Sequence, residues 1–178
     1  MKVCTFVSGG RERLGFVVGS DDVLEAPAEL RDMAAFIRSG AEGRRAAEAY
    51  LAKAPASARK ALSSVKLAAP IRPATMLCSG SNYRDHNKEK ANTPISGKEP
   101  EFFVKTADCV IGPGDTIVYD EKLTKKLDAE TELALVIGRP GRHIPVERAL
   151  EHVFGYTIVN DVTARDRQVR RNEQGFTW

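Results

Sequence analysis

The sequence predicts an α+β protein whose second half is mainly β. Three observations carry this reading. A short pair of apolar, strand-like segments opens the chain, a long stretch of helical period follows, and after two prolines strand-like segments return with turn signals between them.

Taken in order, residues 2–7 and 14–18 alternate or run apolar around Ser8-Gly9-Gly10, which predicts a β-hairpin. From Pro27, a residue type favoured at a first helical position, to residue 64, apolar residues recur at helical spacing, as in Leu30, Met33, Ala34, Phe36 and Ile37. The same stretch is rich in Ala, Arg, Glu and Lys, all good helix formers. Pro70 and Pro73 then interrupt the pattern, so residues 1–68 read as a small N-terminal α+β region, 69–75 as a linker and 76–178 as a second, mainly β domain. Strands are predicted at 75–78, 101–105, 116–119, 131–137 and 155–159, with a helix over 145–153 and another over 162–172.

Composition narrows the function. With 178 residues, 42% of them hydrophobic, the chain has enough apolar side chain to bury a core. Its 27 basic residues face 24 acidic ones, and that near balance predicts no nucleic-acid partner. The basic run from Arg165 to Arg171 is broken by Asp166 and carries no aromatics, which suits a solvated helix face. Cys4, Cys78 and Cys109 are odd in number and widely spaced, so neither a disulfide framework nor a thiolate zinc site is expected. Charge appears by Arg11, too early for a signal-peptide core, and no apolar run approaches the ~20 residues that span a bilayer, so a cytoplasmic protein with no membrane partner is expected.

The chemistry gathers in three segments. On a strand over 131–137, Thr131, Leu133, Leu135 and Ile137 turn to one side and Glu130, Glu132, Ala134 and Val136 to the other. Two like charges on one face repel unless something compensates them, and a bound cation is the simplest compensation. Asp161 ends a second apolar strand, where it reads both as the N-cap of a following helix and as a third ligand; one carboxylate can serve both roles. Three carboxylates without an imidazole and thiolate cluster select Mg²⁺, Mn²⁺ or Ca²⁺ over zinc. The third segment is the polar stretch around His86 and Glu89. On a short helical turn these two share a face, an arrangement that suits a general base and the acid orienting it, and equally an ordinary surface pair. His143 and His152 have no ligand-spaced neighbours and read as structural.

Together these segments resemble the fumarylacetoacetate hydrolase family. The matching pieces are Gly80-Ser81-Asn82-Tyr83 with His86 and Glu89, Pro100-Glu101-Phe102-Phe103-Val104-Lys105, Gly112-Pro113-Gly114-Asp115, Asp128-Ala129-Glu130-Thr131-Glu132-Leu133, and Asn160-Asp161-Val162-Thr163-Ala164-Arg165-Asp166-Arg167-Gln168. The resemblance implies a mixed β-sandwich roll and a homodimer, with Glu130, Glu132 and Asp161 as metal ligands. It further implies His86 and Glu89 as the water-activating pair, and Arg165, Gln168, Tyr83 and Lys105 as substrate-binding groups. The activity implied is hydrolysis of a carbon–carbon bond in a 1,3-diketo acid; the alternatives are decarboxylation, isomerisation or dehydration of a 2-oxo acid, and a non-catalytic fragment. Family members continue for about a hundred residues more and carry a catalytic lysine some twenty residues after the position of Asp161. The expectation is therefore a natural protein on the order of 280 residues, with the 178 residues alone catalytically incompetent and their strands left with exposed apolar faces.

Overall fold

The computed structural model describes residues 1–30, 32–80, 82–89 and 101–168. The N-terminal region is a five-stranded sheet with one long helix packed on it. Strands β1 (Lys2–Ser8), β2 (Arg11–Val18) and β3 (Asp22–Glu25) form an antiparallel meander. Helix α1 (Met33–Lys53) follows, capped by Asp32, whose carboxylate accepts a 2.7 Å hydrogen bond from the Ala35 N–H. Short strands β4 (Arg59–Ala61) and β5 (Lys66–Leu67) then complete the order β4-β3-β2-β1-β5.

Phe6, Leu14, Phe16, Val23 and Leu24 are sealed inside this layer. The face of α1 that covers them, Met33, Phe36, Ile37 and Ala47, follows the helical period, with a break at Gly40, whose positive φ of 56° kinks the helix. Phe36 is the hinge of the core. Its ring meets Phe16 edge-on at 5.8 Å and Phe154, from the second half of the chain, edge-on at 5.7 Å. Phe36→Ala is expected to cost about 3–5 kcal/mol, because the cavity it leaves opens on both halves at once. Urea unfolding checks this; a loss under about 1 kcal/mol would mean that the two halves do not share this core.

The helix is shorter than the sequence suggests. Pro55 stops it, and residues 59–61 pair with β3 although their composition favours a helix, because the edge of that sheet offers backbone hydrogen bonds. The connecting segment is packed rather than loose. Ala68 donates its N–H to Thr5 O at 2.9 Å, Thr5 Oγ1 donates to Pro70 O at 2.8 Å, and Ala69 is 2% exposed. Gly112 presses so closely on this segment that a Cβ there would lie 2.9 Å from the Ala69 nitrogen. Lys66 Nζ pairs with Asp115 at 3.0 Å, and the Gly112 N–H donates to the same carboxylate, which holds it below the usual carboxylate range.

In the second half, β6 (Met76–Gly80) pairs antiparallel with β7 (Glu101–Lys105), and the short helix α2 (Arg84–Glu89) lies between them in sequence. Residues 116–119, expected as a strand, have no strand partner among the described residues; Val118 is exposed and Tyr119 Oη donates to Thr124 O at 3.0 Å. Strands β8 (Leu127–Asp128), β9 (Thr131–Ile137), β10 (Val153–Asn160) and β11 (Thr163–Ala164) build one long antiparallel ribbon, β9 pairing with β10 and β8 with β11. Between β9 and β10 the expected helix appears as 3₁₀ turns over Val146–His152. The last expected helix begins only at Arg165, as α3 (Arg165–Gln168), because Thr163 and Ala164 pair with β8; the rest of the expected span, 169–172, lies outside the described residues.

The ribbon is inverted relative to an ordinary amphipathic strand. Along β9 the acids and small residues Glu132, Ala134 and Val136 are half-buried, while Leu133, Leu135 and Ile137 are 51–62% exposed. On β10 their neighbours Tyr156 and Ile158 are exposed with them, giving the open apolar face expected of these strands. The covered face runs from the acids to Val136 and Phe154, which pack against the α1 core. Among the described residues no helix is long and apolar enough to cross a membrane.

Candidate metal and substrate site

The site is built by strand register. Glu132 lies opposite Val159, and Asp128 lies opposite Thr163. The same register continues between these pairs, because the Asp161 N–H donates to Glu130 O at 2.8 Å and the Arg165 N–H to Lys126 O at 2.9 Å. Directly opposed residues in an antiparallel pair point to the same face. Asp128, Glu130 and Glu132 from one arm therefore share a face with Asp161 and Thr163 from the other. Asp128 belongs to this ladder although it was not singled out as a site residue. Its signal was the two-residue period that places 128, 130 and 132 in step.

Among the described contacts, Arg165 and Lys105 bring positive charge to the ladder. Arg165 forks across it, with Nε 2.7 Å from Asp128 Oδ2, Nη2 2.9 Å from Glu130 Oε2 and Nη1 donating to Gln168 Oε1 at 3.0 Å. Partial burial works against its charge, but the hydrogen bonds it donates to Asp128 and Glu130 outweigh that and hold the guanidinium above its ordinary pKa. Lys105, at the end of β7, places Nζ against Asp161 Oδ1 and donates to Val162 O at 3.0 Å. Both partners are well covered, Asp161 at 11% side-chain exposure and Lys105 at 22%. Asp161 Oδ1 is itself buried and accepts no hydrogen bond of good direction, so its described contact is the ion pair alone.

The surrounding groups fix this arrangement. Asp166 accepts hydrogen bonds from the Lys125 N–H at 3.0 Å and from Thr124 Oγ1, which together hold its carboxyl below the usual range and pin α3 to the start of the ribbon. Tyr83 Oη accepts the Leu133 N–H at 3.0 Å, on the edge of β9 that faces away from β10. That bond ties the residue before α2 to β9. His86 and Glu89 fall within α2, and their side chains lie outside the described residues. Cys78, on β6, is half-buried, and burial followed by the nearby charge of Asp161 pushes its thiol pKa up.

As they stand, no three Asp, Glu, His or Cys side chains among the described residues converge into a metal cage. Asp161 is turned to Lys105 and Glu130 to Arg165. The donor set nonetheless fits a hard divalent ion: the donors are carboxylate oxygens, on one covered face, and one of them is a buried oxygen without a good hydrogen bond. Asp161 caps no helix, since β11 follows it directly.

Residues 75–178 match the model of the fumarylacetoacetate hydrolase C-terminal domain. The chain belongs to the fumarylacetoacetate hydrolase family. It is 49% identical over 117 residues to the oxaloacetate tautomerase YisK of Bacillus subtilis, a match covering 65% of this chain and 38% of that protein. Among solved structures it resembles a fumarylacetoacetate hydrolase from psychrophilic Exiguobacterium antarcticum, with a TM-score of 0.76 at 34% identity over 97% of this chain and 59% of the other. It also resembles a maleylpyruvate hydrolase from Sphingobium sp. SYK-6 in complex with manganese(II) and pyruvate, with a TM-score of 0.75 at 27% identity over 96% of this chain and 62% of that one. These likenesses give the expected fold class, α+β with mostly strands in a curled sheet. The matched stretches cover 38%, 59% and 62% of these relatives' own lengths, in each case less than two thirds.

Proposed function

We propose that the protein, with a divalent cation on Glu130, Glu132 and Asp161, interconverts the enol and keto forms of a 2-oxo acid of the oxaloacetate type. The observation that carries the metal is the register placing these three carboxylates on one covered face. The 49% identity to an oxaloacetate tautomerase supports the reaction class. When bound, the ion supplies Lewis-acid polarisation of the 2-oxo group.

Several of the chain's own residues would take part. Arg165, held by Asp128, keeps Glu130 oriented and brings positive charge to the substrate's oxygens, with Gln168 fixing its third nitrogen. Lys105 offers an ammonium on the same face. His86, oriented by Glu89, is assigned the proton transfer at the carbon beside the 2-oxo group. Tyr83 supports this assignment because its bond to Leu133 ties the helix bearing His86 to the strand bearing Glu132. Hydrolysis of a carbon–carbon bond in a 1,3-diketo acid is the second reading, favoured by the resemblance to a maleylpyruvate hydrolase of known manganese and pyruvate complex.

A panel of enol-oxaloacetate, an acylpyruvate and maleylpyruvate, each with Mg²⁺ or Mn²⁺, separates the readings. Loss of the enol absorbance of oxaloacetate without pyruvate release is the expected result. Release of pyruvate from the diketo acids, with no acceleration of oxaloacetate tautomerisation, would replace the first reading by the second.

A further inference from the structure

The carboxylate ladder carries its own cations, and it holds them differently. Arg165 is anchored at three points, on Asp128, Glu130 and Gln168, so loosening one contact leaves it in place. Lys105 has two described contacts, Asp161 Oδ1 and Val162 O. Its stem comes from β7, whose strand partner is β6 and not the ribbon, so the ammonium can withdraw without disturbing the register that aligns the acids. A lysine is suited to such exchange, being a compact charge on a flexible four-carbon stem, whereas the arginine fork is fixed by its geometry.

The seat that Lys105 fills is a cation's seat. A carboxylate as covered as Asp161 is costly without a positive partner, so the metal-free protein needs the ammonium there. A divalent ion seated on that same oxygen and an ammonium at contact distance repel each other, more strongly than in water because the group is well covered, so each weakens the other's hold.

We propose that Lys105 is an exchangeable counter-ion: its ammonium occupies Asp161 in the metal-free protein, a divalent ion displaces it, and the displaced ammonium becomes the receptor for a carboxylate of the substrate. The proposal rests on the 2-oxo acid reading above. It makes binding ordered, metal first and organic anion second, and it makes one residue act in opposite directions on the two ligands.

Mn²⁺ and oxalate, a chelating dicarboxylate, are the probes, applied to the full chain after chelator treatment. Lys105→Met is expected to bind Mn²⁺ about tenfold more tightly than wild type, since its competitor is gone, which is ~1.4 kcal/mol. The Mn²⁺-loaded variant should bind oxalate about tenfold more weakly, again ~1.4 kcal/mol. Without metal its melting temperature should fall, and the rise on adding Mn²⁺ should exceed that of wild type. Lys105→Arg, which keeps a cation on Asp161, should stay within about threefold of wild type for Mn²⁺. Lys105→Gln keeps a neutral donor for Asp161 and serves as the same test if the methionine variant does not fold. Unchanged or weaker Mn²⁺ binding in a folded neutral variant overturns the exchange, and unchanged oxalate binding overturns the receptor role. Wild-type protein that binds no Mn²⁺ would overturn the metal reading itself, which distinguishes the two failures.

Discussion

The Glu130→Gln, Glu132→Gln double variant is expected to lose Mn²⁺ binding, by roughly a hundredfold or more in affinity, because an amide oxygen carries no charge and two of three ionic donors disappear together. The metal-free protein should keep its fold. Glu130 pairs with Arg165, but Arg165 keeps Asp128 and Gln168 when that acid becomes an amide, and removing charge relieves repulsion within the ladder. The clearest reading is therefore thermal. At a Mn²⁺ concentration a hundredfold above its dissociation constant, wild type gains about 2.7 kcal/mol of stability from mass action, and the double variant should gain almost none. Scanning calorimetry with and without Mn²⁺ measures both effects in one experiment. If the double variant keeps the wild-type metal-induced shift, the ion binds elsewhere and the ladder is a structural feature.

Much of that ladder was legible because a strand's side chains repeat every two residues. Asp128, Glu130 and Glu132 fall on one face whatever the strand pairs with. Their partner was not legible in the same way. Placing Asp161 across from Glu130 requires the register between two ribbon arms, and a slip of one residue would send Asp161 to the leucine face. The sequence could not show that the acids line the covered side while Leu133, Leu135 and Ile137 face outward, since periodicity separates two faces without saying which is inside. The strand at 59–61 was missed for a related reason: it is set by the neighbouring edge of β3, far away in sequence. Lys105 was legible as a residue of a resemblance, but its contact with Asp161 joins two strands whose pairing no local pattern encodes.

His86→Ala is expected to lower kcat by roughly 10² to 10⁴, the usual range for loss of a general base. Mn²⁺ affinity should be untouched, since His86 is assigned no metal contact, and that split between chemistry and metal binding is what separates a catalytic role from a structural one. Glu89→Gln should cost less, because it leaves the imidazole in place and removes only the group that orients it. The acidic limb of the kcat/KM profile should vanish in His86→Ala, as that limb reports protonation of the missing base. Tyr83→Phe provides a graded comparison. It removes the bond between the Leu133 N–H and Tyr83 Oη, loosening the tie between α2 and β9 without touching the imidazole, so kcat should fall by about tenfold at most while the pH profile keeps its shape. Deuterium incorporation beside the 2-oxo group, followed by NMR in D₂O, reads the proton transfer directly and does not depend on which product forms. An His86→Ala variant that exchanges that proton at the wild-type rate would remove His86 from the proton-transfer step and leave the base to be sought on another element.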